Sequence, residues 1–301
     1  MQTFPDQTSR RSPLIHRLRS CGLGILLLSV LSGASCSEPV SDVYEARRHY
    51  ADYDISAITF RAMDDFFNTL EVKHGSLLWE LPYAASPPRL SEDSLLPVGD
   101  GTVRLGDALA ASDTNAFLVM QNGEIVFEQY YNGSSDASRF IGFSISKSIV
   151  SLLIGVAVAE GDIRSIDDAA DVYWPALADT AFAGVSIRHM LQMRDGVDYV
   201  EWAKAGTTDI EILKEQSVIT GQKRFTDVEV LELTRPNEPG AVFNYSTLTS
   251  SILGRVLEEA TGMSLAEYTQ AKLWQPAGME ADAFWLSDGL PPEGKGFGGG
   301  G

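Results

Sequence analysis

Phe143-Ser144-Ile145-Ser146-Lys147-Ser148 opens the longest apolar helical segment beyond the first 35 residues. It sets a hydroxyl and a primary amine three residues apart, and side chains at i and i+3 share one helix face. Lys147 can therefore reach back to the Ser144 hydroxyl. A serine alcohol is a poor nucleophile until a neighbouring base takes its proton, and a lysine whose charge is penalised by burial can be that base. The spacing alone decides little, because 29 Ser and 7 Lys in 301 residues supply roughly 0.7 such pairs by chance. The competing reading makes Ser144 a plain helix cap and leaves Lys147 on a solvated face. The neighbours favour chemistry. Ser148 to Ala159 is apolar or small on every face, which predicts an interior helix closed by Gly161 in the left-handed region. A lysine in the first turn of such a helix needs a reason, since burial penalises its charge.

On the N-terminal side, Phe117–Met120 and Glu124–Tyr131 flank Asn122-Gly123, a strong signal for two strands joined by a tight turn. Farther upstream, residues 82–104 are rich in Pro, Ser and Gly and read as a crossing loop. Ile58 to Val72 carries Phe60, Met63, Phe66, Phe67 and Leu70 along one side and reads as an amphipathic helix. Residues 37–56 are polar and mixed, as in a tether or extended arm.

On the C-terminal side the chain reads as mainly helical. Asp167 to Trp174 ends at Pro175, and Ser186 caps a short helix from Ile187 to Met193. His189, within that helix, reads as a packed or capping histidine rather than a general base. Residues 203–225 are polar and poorly patterned. Pro239-Gly240 turns the chain into Ala241–Ser246, and a helix from about Leu248 to Ala260 ends at Gly262. Ser264-Leu265-Ala266-Glu267 is a capping box for a helix running toward Trp274. Hairpin, buried helix and helical block together predict an α+β body, a helical region beside an antiparallel sheet.

The N-terminus stands apart. Arg10, Arg11, Arg17 and Arg19 precede the apolar run Gly22–Leu31, then Ser32-Gly33-Ala34-Ser35 lead to Cys36. This pattern predicts an export signal over residues 1–35, and the apolar run is too short to span a bilayer. Cys36 resembles the acylated cysteine of a bacterial lipobox, with Gly33 where leucine is usual; a periplasmic or cell-envelope lipoprotein tethered at Cys36 is one expectation, and ordinary cleavage near Ala34 or Cys36 is the alternative. Cys21 and Cys36 are the only cysteines, which leaves a mature chain with no internal disulfide and no thiolate metal site. His49, His74 and His189 show no ligand spacing, and nothing in the sequence calls for a cofactor or metal. The net charge of −18 repels nucleic acid and anionic lipid.

In order and spacing, Ser144-x-x-Lys147, the block Ser186–Met193 ending near Gly196, Pro239-Gly240 before Tyr245-Ser246, Leu253-Gly254, Thr261-Gly262 and Pro276-Ala277-Gly278-Met279 resemble one family. It is the serine beta-lactamase-related family: class C beta-lactamases, DD-peptidases, family VIII esterases and 6-aminohexanoate-dimer hydrolases. Leu273–Glu280 with Trp285 is most similar to the last group. The resemblance covers about residues 105–290. It implies a beta-lactamase/transpeptidase-like fold and a serine hydrolase acting on a small ester, amide or peptide. Ser144 would attack the carbonyl, Lys147 would activate it, and Tyr245 would pass the proton to the leaving group. Thr247 stands where the family often has Asn, which makes it a candidate substrate-pocket residue and points toward esters or linear amides. The alternative is a non-catalytic module of the same fold that binds penicillins or peptidoglycan peptides. Asn244-Tyr245-Ser246 also scans as a glycosylation acceptor, read here as accidental.

The resemblance also implies a Lys/His-Thr/Ser-Gly strand that completes the oxyanion hole. Lys295-Gly296-Phe297-Gly298 lacks its hydroxyl and lies too close to the Pro276–Met279 block to replace it. The expectation is thus a C-terminally truncated hydrolase that lacks the last sheet strands and turns over weakly or not at all, with an export signal over 1–35, a tether, helix and crossing loop over 36–104, and a partial hydrolase domain over 105–301.

Overall fold

A computed structural model describes residues 40–86, 90–202, 207–227, 232–288 and 295–296. Residues 1–35, read above as an export signal, and Cys36 lie outside the described residues. The helices are α1 Val40–His49, α2 Ser56–Thr59, α3 Met63–Phe66, α4 Leu105–Ala111, α5 Ile145–Glu160, α6 Ile187–Leu191, α7 Asp209–Lys214, α8 Thr247–Thr261 and α9 Leu265–Thr269. The strands are β1 Thr69–Val72, β2 Leu95–Val98, β3 Gly101–Arg104, β4 Ala116–Gln121, β5 Glu124–Tyr130, β6 Ala283–Asp288 and β7 Lys295–Gly296.

The centre of the molecule is the pair α5 and α8, which pack against each other. Val150, Leu153, Ile154 and Ala157 form the buried stripe of α5, and Leu248, Ile252, Leu253, Val256 and Leu257 that of α8. Full burial of each large aliphatic side chain contributes about 1.5–3 kcal/mol. Gly161, at φ 89°, closes α5 and Gly262, at φ 70°, closes α8, both in the left-handed region. The expectation that α5 is enclosed on every face is corrected. Ile145, Ser148, Leu152, Gly155 and Ala159 recur at helical spacing on an exposed face, with Leu152 56% accessible. An apolar composition therefore did not mean burial all round.

β4 and β5 form the expected hairpin, with Asn122 at φ 56° and Gly123 at φ 83°, both positive as a type I′ turn requires. A bulge between Val119 and Met120 bends it. Small antiparallel sheets surround the helices: β2 pairs with β3, β4 with β5, and β1, β6 and β7 form a third.

Four segments differ from the sequence expectation. Ile58–Val72 is not one helix: it breaks into α2, α3 and strand β1, because Thr69–Val72 pairs residue by residue with Leu286–Ala283. Pairing with a strand more than 200 residues away overrides the local helical period. Residues 82–104 contain the β2–β3 hairpin, whose two-residue Gly99-Asp100 turn carries Gly99 at φ 57°. Residues 37–56 contain α1, held by buried Arg47, whose Nε donates to Phe66 O at 2.6 Å and whose guanidinium also donates to Ile219 O at 2.8 Å. Asp167–Trp174 forms only a 3₁₀ turn over Ala170–Val172, since a bridge between Ala169 and Ser186 holds the preceding backbone extended. The capping box Ser264/Glu267 forms as expected. Lys295-Gly296 is β7, paired with Asp288 and Ser287, while Phe297 and Gly298 lie outside the described residues.

Candidate active site

Ser144 occupies the N-cap position of α5 and is exposed, yet its hydroxyl makes no capping bond. The preceding residue, Phe143, sits at φ 44°, a left-handed conformation that costs a bulky side chain of order 1–3 kcal/mol. Aromatic packing holds it there. Its ring lies 4.9 Å edge-on from Phe60 and 6.4 Å from a near-parallel Tyr50, which in turn meets Phe67 at 5.4 Å. The Ser146 hydroxyl donates to Phe143 O at 2.6 Å and locks the same turn. The elbow turns the Ser144 hydroxyl away from the helix.

Two groups reach that hydroxyl. Lys147 Nζ donates to Ser144 Oγ at 3.1 Å, and Tyr245 Oη donates to it at 2.7 Å. The ammonium also stands 5.2 Å from the Tyr245 ring centroid. Burial pulls the Lys147 pKa from 10.5 down to about 8; the Glu201 carboxylate opposes that shift and the Lys214 ammonium adds to it. Residues from two segments 101 positions apart thus converge on one oxygen.

Tyr245 is held by a laced loop. Asn244 Nδ2 donates to Val197 O at 3.1 Å and Tyr199 O at 3.0 Å, and Asn244 N donates to Met193 O. The Asn244 amide is thereby committed to the interior. On the other side, Ser246 caps α8 by accepting from Thr249 N. The Thr249 hydroxyl donates to Asp195 at 2.6 Å and lies 2.8 Å from Ser246 Oγ, while Asp195 also accepts from Val197 N. Burial raises the Asp195 pKa, and its hydrogen bonds to Thr249 and Val197 oppose this. Asp195→Ala should lower stability by about 2 kcal/mol, because it leaves a hydroxyl and an N–H unsatisfied in the interior; a denaturant midpoint unchanged from wild type would contradict the role. His189 packs against Gly240, where its Nε2 lies 2.9 Å from the position a Cβ would take. It is therefore packed, as expected, and its own backbone N–H donates to the capping Ser186 Oγ.

A cavity of about 220 Å³ opens beside Ser144, walled by Phe143, Ile210, Val218, Ile219 and Leu286 and edged by Glu201, Trp202, Lys214, Tyr245 and Thr247. Thr247 does line it, but its hydroxyl and N–H both donate to Glu201, at 2.6 and 2.9 Å. Its side chain is thus turned to a buried carboxylate at the start of α8, where the helix dipole favours negative charge. Trp202 stacks on Tyr245 at 5.1 Å and is 74% exposed.

Glu201, Trp202 and Lys214 escaped the sequence reading. Lys214 was findable: Thr208-Asp209-Ile210-Glu211 is a capping box, formed as such, that announces α7 inside the stretch read as unpatterned. For Glu201 and Trp202 no local signal exists.

An exposed serine at the mouth of a central helix, with a lysine and a distant tyrosine both within hydrogen-bond reach of its hydroxyl, is an arrangement suited to serine acyl transfer, on a beta-lactamase/transpeptidase-like fold. The beta-lactamase family model matches residues 107–295, and the chain belongs to that family of serine hydrolases. It is 25% identical to the 6-aminohexanoate-dimer hydrolase of Paenarthrobacter ureafaciens over 83% of this chain and 61% of that protein. It is 29% identical to esterase EstB of Burkholderia gladioli over 56% of this chain and 46% of that enzyme. A solved Bacillus anthracis structure assigned as a 6-aminohexanoate-dimer hydrolase superposes with a TM-score of 0.73 at 22% identity, covering 84% of this chain and 66% of that one. The chain thus spans under two thirds of the length of these relatives.

Proposed function

We propose that the protein hydrolyses an ester or amide bond through an acyl-enzyme on Ser144. The reading rests on one observation: Ser144 Oγ stands within hydrogen-bond distance of both the Lys147 amine and the Tyr245 phenol. As Ser144 Oγ bonds the substrate carbonyl carbon, its proton passes to neutral Lys147. Collapse of the tetrahedral species breaks the C–O or C–N bond, and the leaving group takes a proton from Tyr245, which Lys147 re-supplies. Water then attacks the ester on Ser144 by the same relay in reverse and frees the carboxylic acid. Ser144 N, at the start of α5, is one donor available to the developing oxyanion.

The similarity to an amide hydrolase and an esterase supports linear amides or esters as substrates. Export and a lipid tether at Cys36 form a separate part of this proposal, checked by the mass of the mature N-terminus. The test of the chemistry is incubation with a fluorophosphonate followed by peptide mass spectrometry. A phosphonyl group on Ser144, with fluoride released, is the expected result. Label on another residue, or none, defeats the reading. Labelling of Ser144 that a small ester slows by competition, with no acid released from that ester, would mark a binding module in place of an enzyme.

A further inference from the structure

The cavity beside Ser144 holds two charged side chains, and they are not equally occupied. Glu201 is 8% exposed and accepts two hydrogen bonds from Thr247 at the positive end of α8. Its charge is met where it stands. Lys214 ends α7 on the same cavity wall, and its ammonium has only a 3.5 Å hydrogen bond to Tyr50 Oη. The nearest carboxylate on its own helix, Glu211, is engaged in the capping box with the Thr208 hydroxyl and N–H, at 2.9 and 2.8 Å. Among the described residues Lys214 forms no ion pair. Glu211 attracts the Lys214 ammonium without reaching it, so a half-buried ammonium beside Ile210, Val218 and Ile219 still has room for an anionic partner in contact. The walls between Ser144 and Lys214 are apolar, so a ligand that reaches both is apolar in the middle and anionic at one end.

We propose that Lys214 is a specificity-determining residue that binds a carboxylate on the portion of the substrate entering this cavity, so that the substrate is a half-ester or half-amide of a short dicarboxylic acid. The inference rests on the serine hydrolase reading above. The cavity is small, about 220 Å³, which favours a short chain between the Ser144 carbonyl and the Lys214 ammonium. A longer acid would have to leave its carboxylate outside the cavity, and a neutral acyl chain would leave Lys214 desolvated without a partner. Lys214 touches no reacting atom; it chooses which substrate presents its carbonyl to Ser144.

Three fluorophosphonates of equal chain length, ending in methyl, carboxylate or ammonium, test this through their second-order rates of labelling at Ser144. The carboxylate probe should label wild-type protein about tenfold faster than the methyl probe, with the ammonium probe slowest. In Lys214→Gln the carboxylate-to-methyl ratio should fall to about one. In Lys214→Glu the order should invert in favour of ammonium. Ratios are the readout because all probes meet the same Ser144 and Lys147, so a changed basicity of Lys147 cancels. Equal labelling by the methyl and carboxylate probes in wild type, or an unchanged ratio in Lys214→Glu, overturns the inference while the hydrolase reading stands. No labelling by any probe overturns both.

Discussion

Replacing Lys147 with methionine should slow acylation of Ser144 by about 10²–10⁴-fold while making the folded protein more stable at neutral pH. The rate loss follows from removing the only amine in contact with Ser144 Oγ among the described residues, at the usual magnitude for a positioned base. The stability gain follows from the same burial that lowers the Lys147 pKa. Its folded pKa of about 8 lies below the unfolded value of 10.5. Below pH 8 both states carry the charge, and the folded state bears the full desolvation cost. Between 8 and 10.5 the unfolded chain binds more protons, so native stability rises with pH and the cost disappears. Because the side chain is partly solvated, the gain in Lys147→Met is discounted to about 1–2 kcal/mol, or roughly 3–6 °C in Tm. It should be largest at pH 7 and vanish toward pH 10.5. In the parent protein, acylation should rise about tenfold per pH unit below 8 and level off above it, because only the neutral amine accepts a proton. A variant that loses stability at pH 7, or a rate flat from pH 6 to 9, would show that the amine is not under this strain.

Gly196→Ala should destabilise the protein by about 2–4 kcal/mol and disable the site without touching it. Gly196 has φ 84°, and an added Cβ would stand 2.2 Å from Asn237 O and 3.0 Å from Asn237 C. Both are backbone atoms, so no rotamer change relieves the clash, and the left-handed conformation adds strain for any side chain. The segment that must yield includes Asn237 and runs on to Asn244 and Tyr245. Its displacement should pull the Tyr245 phenol off Ser144, leaving the 3.1 Å lysine contact in place. Thermal unfolding and the phosphonylation rate together check this. A Tm within 2 °C of the parent would mean that the 237–244 loop yields freely, and that the laced loop does not position Tyr245.

These two residues show how unevenly the site was written in the chain. Ser144 and Lys147 lie in one helical turn, so the 3.6-residue period brought them together with no tertiary information. Gly161, Gly262, the Ser264/Glu267 box and the Asn122-Gly123 turn were equally legible, since each is a local backbone solution with one dominant residue choice. Tyr245 could be named through the family resemblance, but nothing in its own neighbourhood says which serine it faces. Ile58–Val72 was misread because its apolar spacing suits a helix in isolation, whereas Val72 and Leu70 find Ala283 and Trp285 as strand partners. The broken helix has a use: it delivers Phe60 and Phe67 to the aromatic packing that supports the strained Phe143.

Some local order thus came from the residues alone: where α5 and α8 end, the turn between β4 and β5, and which hydroxyl has an amine beside it. Those features depend on hydrogen bonds and torsions within a few residues, and such terms survive in any surroundings. The basicity of Lys147, the contact of Tyr245 with Ser144, and the cavity shared by Glu201 and Lys214 required the packed molecule. Each depends on how much water is removed and which distant charge is brought near. Desolvation and Coulomb energy are set by three-dimensional distance, and sequence separation says almost nothing about that.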